Sequence, residues 1–153
     1  MIGNILSLSE LTVRKKDKSA KEPDLVSNLN LNIQKKEFVA IVGESGSGKS
    51  LTALSILGLL PTELYSSGKG QWEDKSYNLN NSNFLQSLRG KDIGFIFQEP
   101  LISMNPLHTI GKQVQECLLL HDHSGPTRIR EKVISLFYDV KLPDPEKRFN
   151  FYP

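Results

Sequence analysis

The sequence predicts an α/β fold, and two observations carry that expectation. Phe38-Val39-Ala40-Ile41-Val42 is apolar on both faces, the pattern of a strand buried inside a parallel sheet, and it runs directly into a glycine-rich turn. Beyond the turn the spacing becomes helical, with Leu51, Leu54, Ile56, Leu57 and Leu60 apolar as far as Pro61.

The remaining elements follow in order. Ile5 to Val13 partly alternates and reads as a strand, and a polar, Lys-rich loop containing Pro23 comes next. Leu29-Asn30-Leu31-Asn32-Ile33 alternates strictly, which marks a half-buried strand and suggests an antiparallel pair at the start. Lys35-Lys36-Glu37 turns the chain into the apolar run, and the helix is expected from Lys49 to Leu60. Residues 66–83 are polar and loop-like, with a short strand at Gln71-Trp72. A short helix over Asn83 to Leu88 stops at Gly90, and Ile93-Gly94-Phe95-Ile96-Phe97 reads as a second buried strand. Two amphipathic helices follow, Thr109 to Leu120 and Arg128 to Val140, separated by Gly125-Pro126. The tail around Leu142-Pro143-Asp144-Pro145 reads as irregular, and no internal repeat is present.

At 153 residues, 38% hydrophobic and 24% charged, the chain has the composition of a globular domain. No apolar run approaches the ~20 residues of a membrane helix, and no signal segment opens it, so a cytoplasmic location is expected. A formal charge of +2 is too small to point to nucleic acid, and Trp72, Tyr77 and Phe84 do not interleave with basic residues. The basic stretch Arg14-Lys15-Lys16-Asp17-Lys18 reads as a solvated loop. The single cysteine, Cys117, falls in an apolar helical pattern and reads as core. His121-Asp122-His123 reads as a solvated turn, since neither a Cys pair nor a carboxylate cluster accompanies it.

The turn itself, Gly43-Glu44-Ser45-Gly46-Ser47-Gly48-Lys49-Ser50, matches Gly-x-x-x-x-Gly-Lys-Ser/Thr between a strand and a helix, the context in which that pattern holds phosphates. Gly43, Gly46 and Gly48 let the backbone curl closely around an anion, and the N–H groups from Gly46 to Ser50 point inward as a nest. The helix that opens at Lys49 adds its unpaired N–H groups and the positive end of its dipole. Lys49 supplies a point charge for the β- and γ-phosphates, and the Ser50 hydroxyl is suited to Mg²⁺.

With its Ser-Gly-Ser spacer, this loop resembles the Walker A of ABC transporter ATPases. Phe95-Ile96-Phe97-Gln98-Glu99-Pro100, about fifty residues downstream, resembles the Q-loop of the same family. Ser103-Met104-Asn105-Pro106-Leu107-His108-Thr109-Ile110-Gly111-Lys112-Gln113 resembles the oligopeptide, dipeptide and nickel importer branch, near the peptide and microcin importers. The resemblance implies a phosphate-loop ATPase core over 1–97 and the Q-loop with the start of a helical subdomain over 98–153. It implies that residues 43–51, through Leu51, bind ATP, that Ser50 and Gln98 meet Mg²⁺, and that Gln98 serves catalysis. It also implies a second ATPase domain, transmembrane permease subunits, and a place on the cytoplasmic face of the cell membrane.

Two departures accompany the resemblance. The family usually places an adenine-stacking aromatic where this chain has Val13-Arg14-Lys15, so only the guanidinium plane of Arg14 is available to stack. The Leu-Ser-Gly-Gly element, the Walker B aspartate with its glutamate, and the switch histidine are also absent. Leu118 to Asp122 and Leu136 to Asp139 lie in helical patterns rather than in a strand followed by Glu, and are rejected as Walker B. The expectation is therefore an incomplete cassette that binds MgATP without turning it over and leaves apolar strand edges uncovered. The alternatives are a non-catalytic nucleotide-binding remnant and a non-transport ABC ATPase.

Overall fold

The computed structural model describes residues 3–17, 22–99, 103–120 and 125–153. They belong to two compact units, 1–89 and 90–153.

The first unit is built on an antiparallel sheet of four strands, β1 (Asn4–Lys15), β2 (Val26–Gln34), β3 (Leu64–Trp72) and β4 (Lys75–Asn78), in the order β2-β1-β3-β4. Helices α1 (Lys49–Ile56) and α2 (Ser82–Leu88) complete the unit. Leu6, Leu8, Leu11 and Val13 of β1 are buried, with Val26, Tyr77, Leu79 and Leu85. Their spacing explains the imperfect alternation of the sequence. Glu10 sits at φ 56° in a bulge that shifts register against both β2 and β3, so the inward series resumes one residue late at Leu11. The asparagines of β2 fill the gap. Asn30 Oδ1 accepts from the Glu10 N–H at 3.0 Å, and the Asn28 N–H donates to Thr12 Oγ1 at 3.1 Å.

Helix α1 ends at Ile56 rather than at Leu60. Gly58 adopts φ 62°, its N–H donates to Ser55 O at 3.1 Å, and the Leu59 N–H donates to Leu54 O at 2.9 Å, which is a Schellman termination. Arg89 donates from Nε to Leu57 O at 2.7 Å and from Nη2 to Gly58 O at 2.9 Å, so two further terminal carbonyls are satisfied.

Three expectations about strands are corrected. Residues 38–42 form no strand: Phe38 is 95% and Val42 87% exposed. Ile93 to Phe97 forms no strand either beyond an isolated bridge at Ile93, and Ile96 is 88% exposed. A strand apolar on both faces is buried by neighbours on either side, and no described residue pairs with these segments as a ladder. Conversely, most of the polar stretch 66–83 is β3, β4 and the start of α2. Its inward positions are small, Ser66 and Gly70, so no apolar alternation announces the strands.

The second unit holds α3 (Ile110–Leu119), α4 (Pro126–Asp139) and a short α5 (Pro145–Arg148) where an irregular tail was expected. Val133, Phe137 and Phe149 form its core with Ile110, Val114, Leu118, Ile134 and Leu142 around them. The Ile110 N–H donates to Phe151 O at 2.8 Å and the Gly111 N–H to Phe149 O at 3.0 Å, pairing two first-turn amides of α3. The Arg130 guanidinium lies 4.5 Å above the Phe149 ring. Cys117 is exposed, which corrects its reading as core: the apolar stripe of α3 runs through Ile110, Val114 and Leu118 and leaves position 117 outside it. Residues 121–123 lie outside the described residues. Among the described residues, no helix is long and apolar enough to cross a membrane.

Candidate functional site

Residues 43–51 lie in the first unit and lead into α1. Gly46 and Gly48 take φ 82° and 88°, the left-handed conformation that costs a side chain about 1–2 kcal/mol. The Ser47 N–H donates to Glu44 O at 3.2 Å, closing the turn between them. Gly48 is the N-cap of α1 and offers no side chain to the helix's free amides, and the first turn carries no acidic residue. The positive end of α1 is thus left uncompensated by protein anions, as an anion site requires. A shallow cavity of about 150 Å³ opens there, lined by Gly46, Ser47, Gly48, Lys49, Ser50 and Leu51.

Lys49 reaches back over this cavity. Its Nζ donates to Gly43 O at 2.8 Å, to Glu44 O at 2.6 Å and to Ser47 Oγ at 3.3 Å, so the ammonium is held at the mouth of the nest. Ser50 is exposed on the first turn of α1, with its hydroxyl on the surface beside the loop. Leu51 differs from its neighbours: its side chain packs against the core of the unit, leaving only its backbone to face a ligand. The groups gathered here, backbone amides and an ammonium, are those that bind phosphate oxygens, and the Ser50 hydroxyl stands next to them in sequence.

The last glycine of the loop is also pressed against β2. A Cβ at Gly48 would sit 2.8 Å from Val26 Cγ2 and 3.0 Å from Leu25 O. Leu25, just before β2, and Val26, its first residue, therefore back Gly48, a contact the sequence did not single out.

The Arg14 guanidinium is anchored along one edge by a carboxylate, and its side chain is 43% exposed. Its Nε and Nη2 donate to Asp24 Oδ1 and Oδ2 at 2.8 and 3.0 Å, a bidentate pair that holds the guanidinium above its ordinary pKa.

Gln98 belongs to the second unit and is exposed. With Phe97, Glu99 and Ser103 it lines a cavity of about 410 Å³, beside an edge-on Phe95–Phe97 pair with centroids 4.8 Å apart. The segment that follows is braced by Gln113. Its Nε2 donates to Asn105 O and His108 O, both at 2.9 Å, and its Oε1 accepts from the Asn105 N–H at 2.9 Å. Asn105 Oδ1 in turn accepts from the Leu107 N–H at 2.9 Å.

The ABC transporter family model matches residues 26–150. Among curated proteins, the chain is 44% identical over 130 residues to the peptidoglycan transport ATP-binding protein YejF of Agrobacterium fabrum, covering 84% of this chain and 24% of that one. It is 34% identical over 154 residues to the oligopeptide transport ATP-binding protein OppD of Bacillus subtilis, covering 99% and 43%. Among solved structures, the dimeric ATP-binding cassette MJ0796 in a post-hydrolysis state bound to ADP and Pi matches with TM-score 0.75 and 27% identity, covering 97% of this chain and 61% of that one. That likeness carries the α/β phosphate-loop fold class, although the chain spans less than half the length of the curated relatives it matches here. With 125 consecutive residues inside the family match (26 to 150), the chain belongs to the ABC transporter family.

Proposed function

We propose that residues 43–51 bind MgATP and that the chain is part of the ATP-binding, energy-coupling subunit of an importer for peptides or similar solutes. The observation that carries this reading is the loop itself: left-handed Gly46 and Gly48, an uncompensated α1 terminus and the Lys49 ammonium converge on one cavity. The relatives named for peptidoglycan and oligopeptide transport support the solute class.

In this reading Lys49 moves from the loop carbonyls to the β- and γ-phosphate oxygens, and the amides of 46–50 take the remaining negative charge. Ser50 would hold Mg²⁺, which would neutralise phosphate charge, and Gln98 is the second residue proposed as a ligand for that metal. The functional division falls at 97/98, with the phosphate loop before it and the Q-loop segment after it. The dimeric cassette among the structural relatives supports a second ATPase domain as partner. Permease subunits would hold the pair at the cytoplasmic face of the membrane.

The 153-residue chain is proposed to bind without turnover. Leu136 to Asp139 lies inside α4, and Leu118 and Leu119 end α3, so these residues offer no strand for a catalytic carboxylate. Titration of MgATP into the purified chain tests the reading. Saturable heat that disappears in Lys49→Ala is the expected result, and binding unaffected by Lys49→Ala would defeat it. Phosphate release abolished by the same substitution would overturn the claim that there is no turnover.

A further inference from the structure

A residue pair outside the loop bears on the shape of the phosphate nest. Gly48 closes the nest and packs on Leu25 O and Val26 Cγ2, so the entry to β2 is the surface against which the loop is moulded. That entry is tied down in two ways. The Leu25 N–H donates to Val13 O at 2.9 Å, and Val13 and Val26 pair across β1 and β2. Asp24, immediately before Leu25, accepts both bonds from Arg14, immediately after Val13. The Asp24 side chain is 15% exposed and that of Arg14 43%, so the carboxylate half of the pair is sheltered while the bidentate geometry fixes the guanidinium.

We propose that Arg14 and Asp24 are positioning residues for the phosphate loop, stapling the start of β2 to the end of β1 so that Leu25 and Val26 hold Gly48 and the nest in shape. The inference rests on the reading of residues 43–50 as a nucleotide site. The effect of the pair is preorganisation: a loop already in the binding conformation loses less entropy when phosphate arrives. Because the staple acts on the nest, it should affect every ligand that uses the phosphates, with or without a base.

The test uses the full 153-residue chain, its Arg14→Gln and Asp24→Asn variants, and the exchanged double variant R14D/D24R. MgATP and inorganic tripolyphosphate are titrated into each, and amide exchange is followed at residues 44–50 without ligand. Each single variant should bind both ligands about fivefold more weakly, the scale of one half-sheltered bidentate pair. Exchange at 44–50 should rise while exchange in the β1–β3 ladder stays put, and the double variant should recover both. Unchanged exchange and affinity in the single variants would overturn the staple, as would a rise spread evenly over the unit or a folded double variant that recovers neither. If the unmodified chain binds neither ligand, the nucleotide reading falls, and the exchange arm still decides whether the pair orders the loop.

Discussion

The ring of Tyr77 occupies the space that a Cβ on its cross-strand partner Gly70 would need. The ring also stacks on Phe84 at 4.5 Å between centroids, so β3, β4 and α2 meet at one aromatic contact. Burial raises the pKa of the Tyr77 hydroxyl. Gly70→Ala forces this ring out of place and should lower unfolding free energy by about 1–3 kcal/mol, the usual cost of overpacking. Urea melts of the two proteins measure it, and a change within about 0.5 kcal/mol would mean the ring has room to move.

Arg89 ties the end of α1 to the segment after α2 through its two bonds to Leu57 O and Gly58 O. Arg89→Ala should cost about 1–3 kcal/mol, since two carbonyls lose a charged donor. Arg89→Lys should recover less than half of that, because one ammonium does not reproduce the fork. Full recovery with lysine in thermal melts would show that charge alone matters there.

Gln113 is the hub of the Asn105–His108 segment, and its amide group must both donate and accept. Gln113→Glu keeps the acceptor for the Asn105 N–H but sets a carboxylate against two carbonyls. Faster amide exchange at Asn105 and Leu107 is expected, with a stability loss of about 1–3 kcal/mol that lessens as acid protonates the new group. Equal exchange rates in the two proteins would discount the brace.

Lys35 Nζ lies 2.7 Å from Glu73 Oε1, and this hydrogen bond holds the Glu73 carboxyl below the ordinary carboxylate range. A depressed folded pKa means the ionised form favours the fold. Its contribution is full above the unfolded value of about 4.3 and fades as pH falls through the folded one. Compared with Glu73→Gln, the unmodified chain should therefore show a constant small advantage from pH 6 to 8 that shrinks below about pH 4.3. Both groups are exposed, so the advantage will be slight. An advantage that grows in acid would reverse the assigned sign.

The loop at 43–50 was legible in the sequence because its geometry is local: a few glycines and a helix start determine it. The strands β3 and β4 were not, because Ser66 and Gly70 face inward where an apolar pattern would be looked for. Residues 38–42 and 93–97 have a buried strand's composition, but burial depends on neighbours distant in sequence; here 38–42 are exposed, as are Ile96 and Phe97, with Ile93 and Phe95 half-buried. The Arg14–Asp24 pair was hidden for a related reason. It exists only once β1 and β2 are in register, and an isolated arginine beside lysines reads as a solvated charge.

Gly48 answers to two constraints at once. An anion requires its left-handed backbone, and Val26 with Leu25 O leaves no room for a side chain. A lineage that stopped using the nucleotide would still be selected against for replacing this glycine, through folding alone. Persistence of the motif across descendants would then record the packing of β2 as much as any use of ATP. Lys49, whose bonds here are to an exposed loop, carries no such second constraint and would be the first to drift.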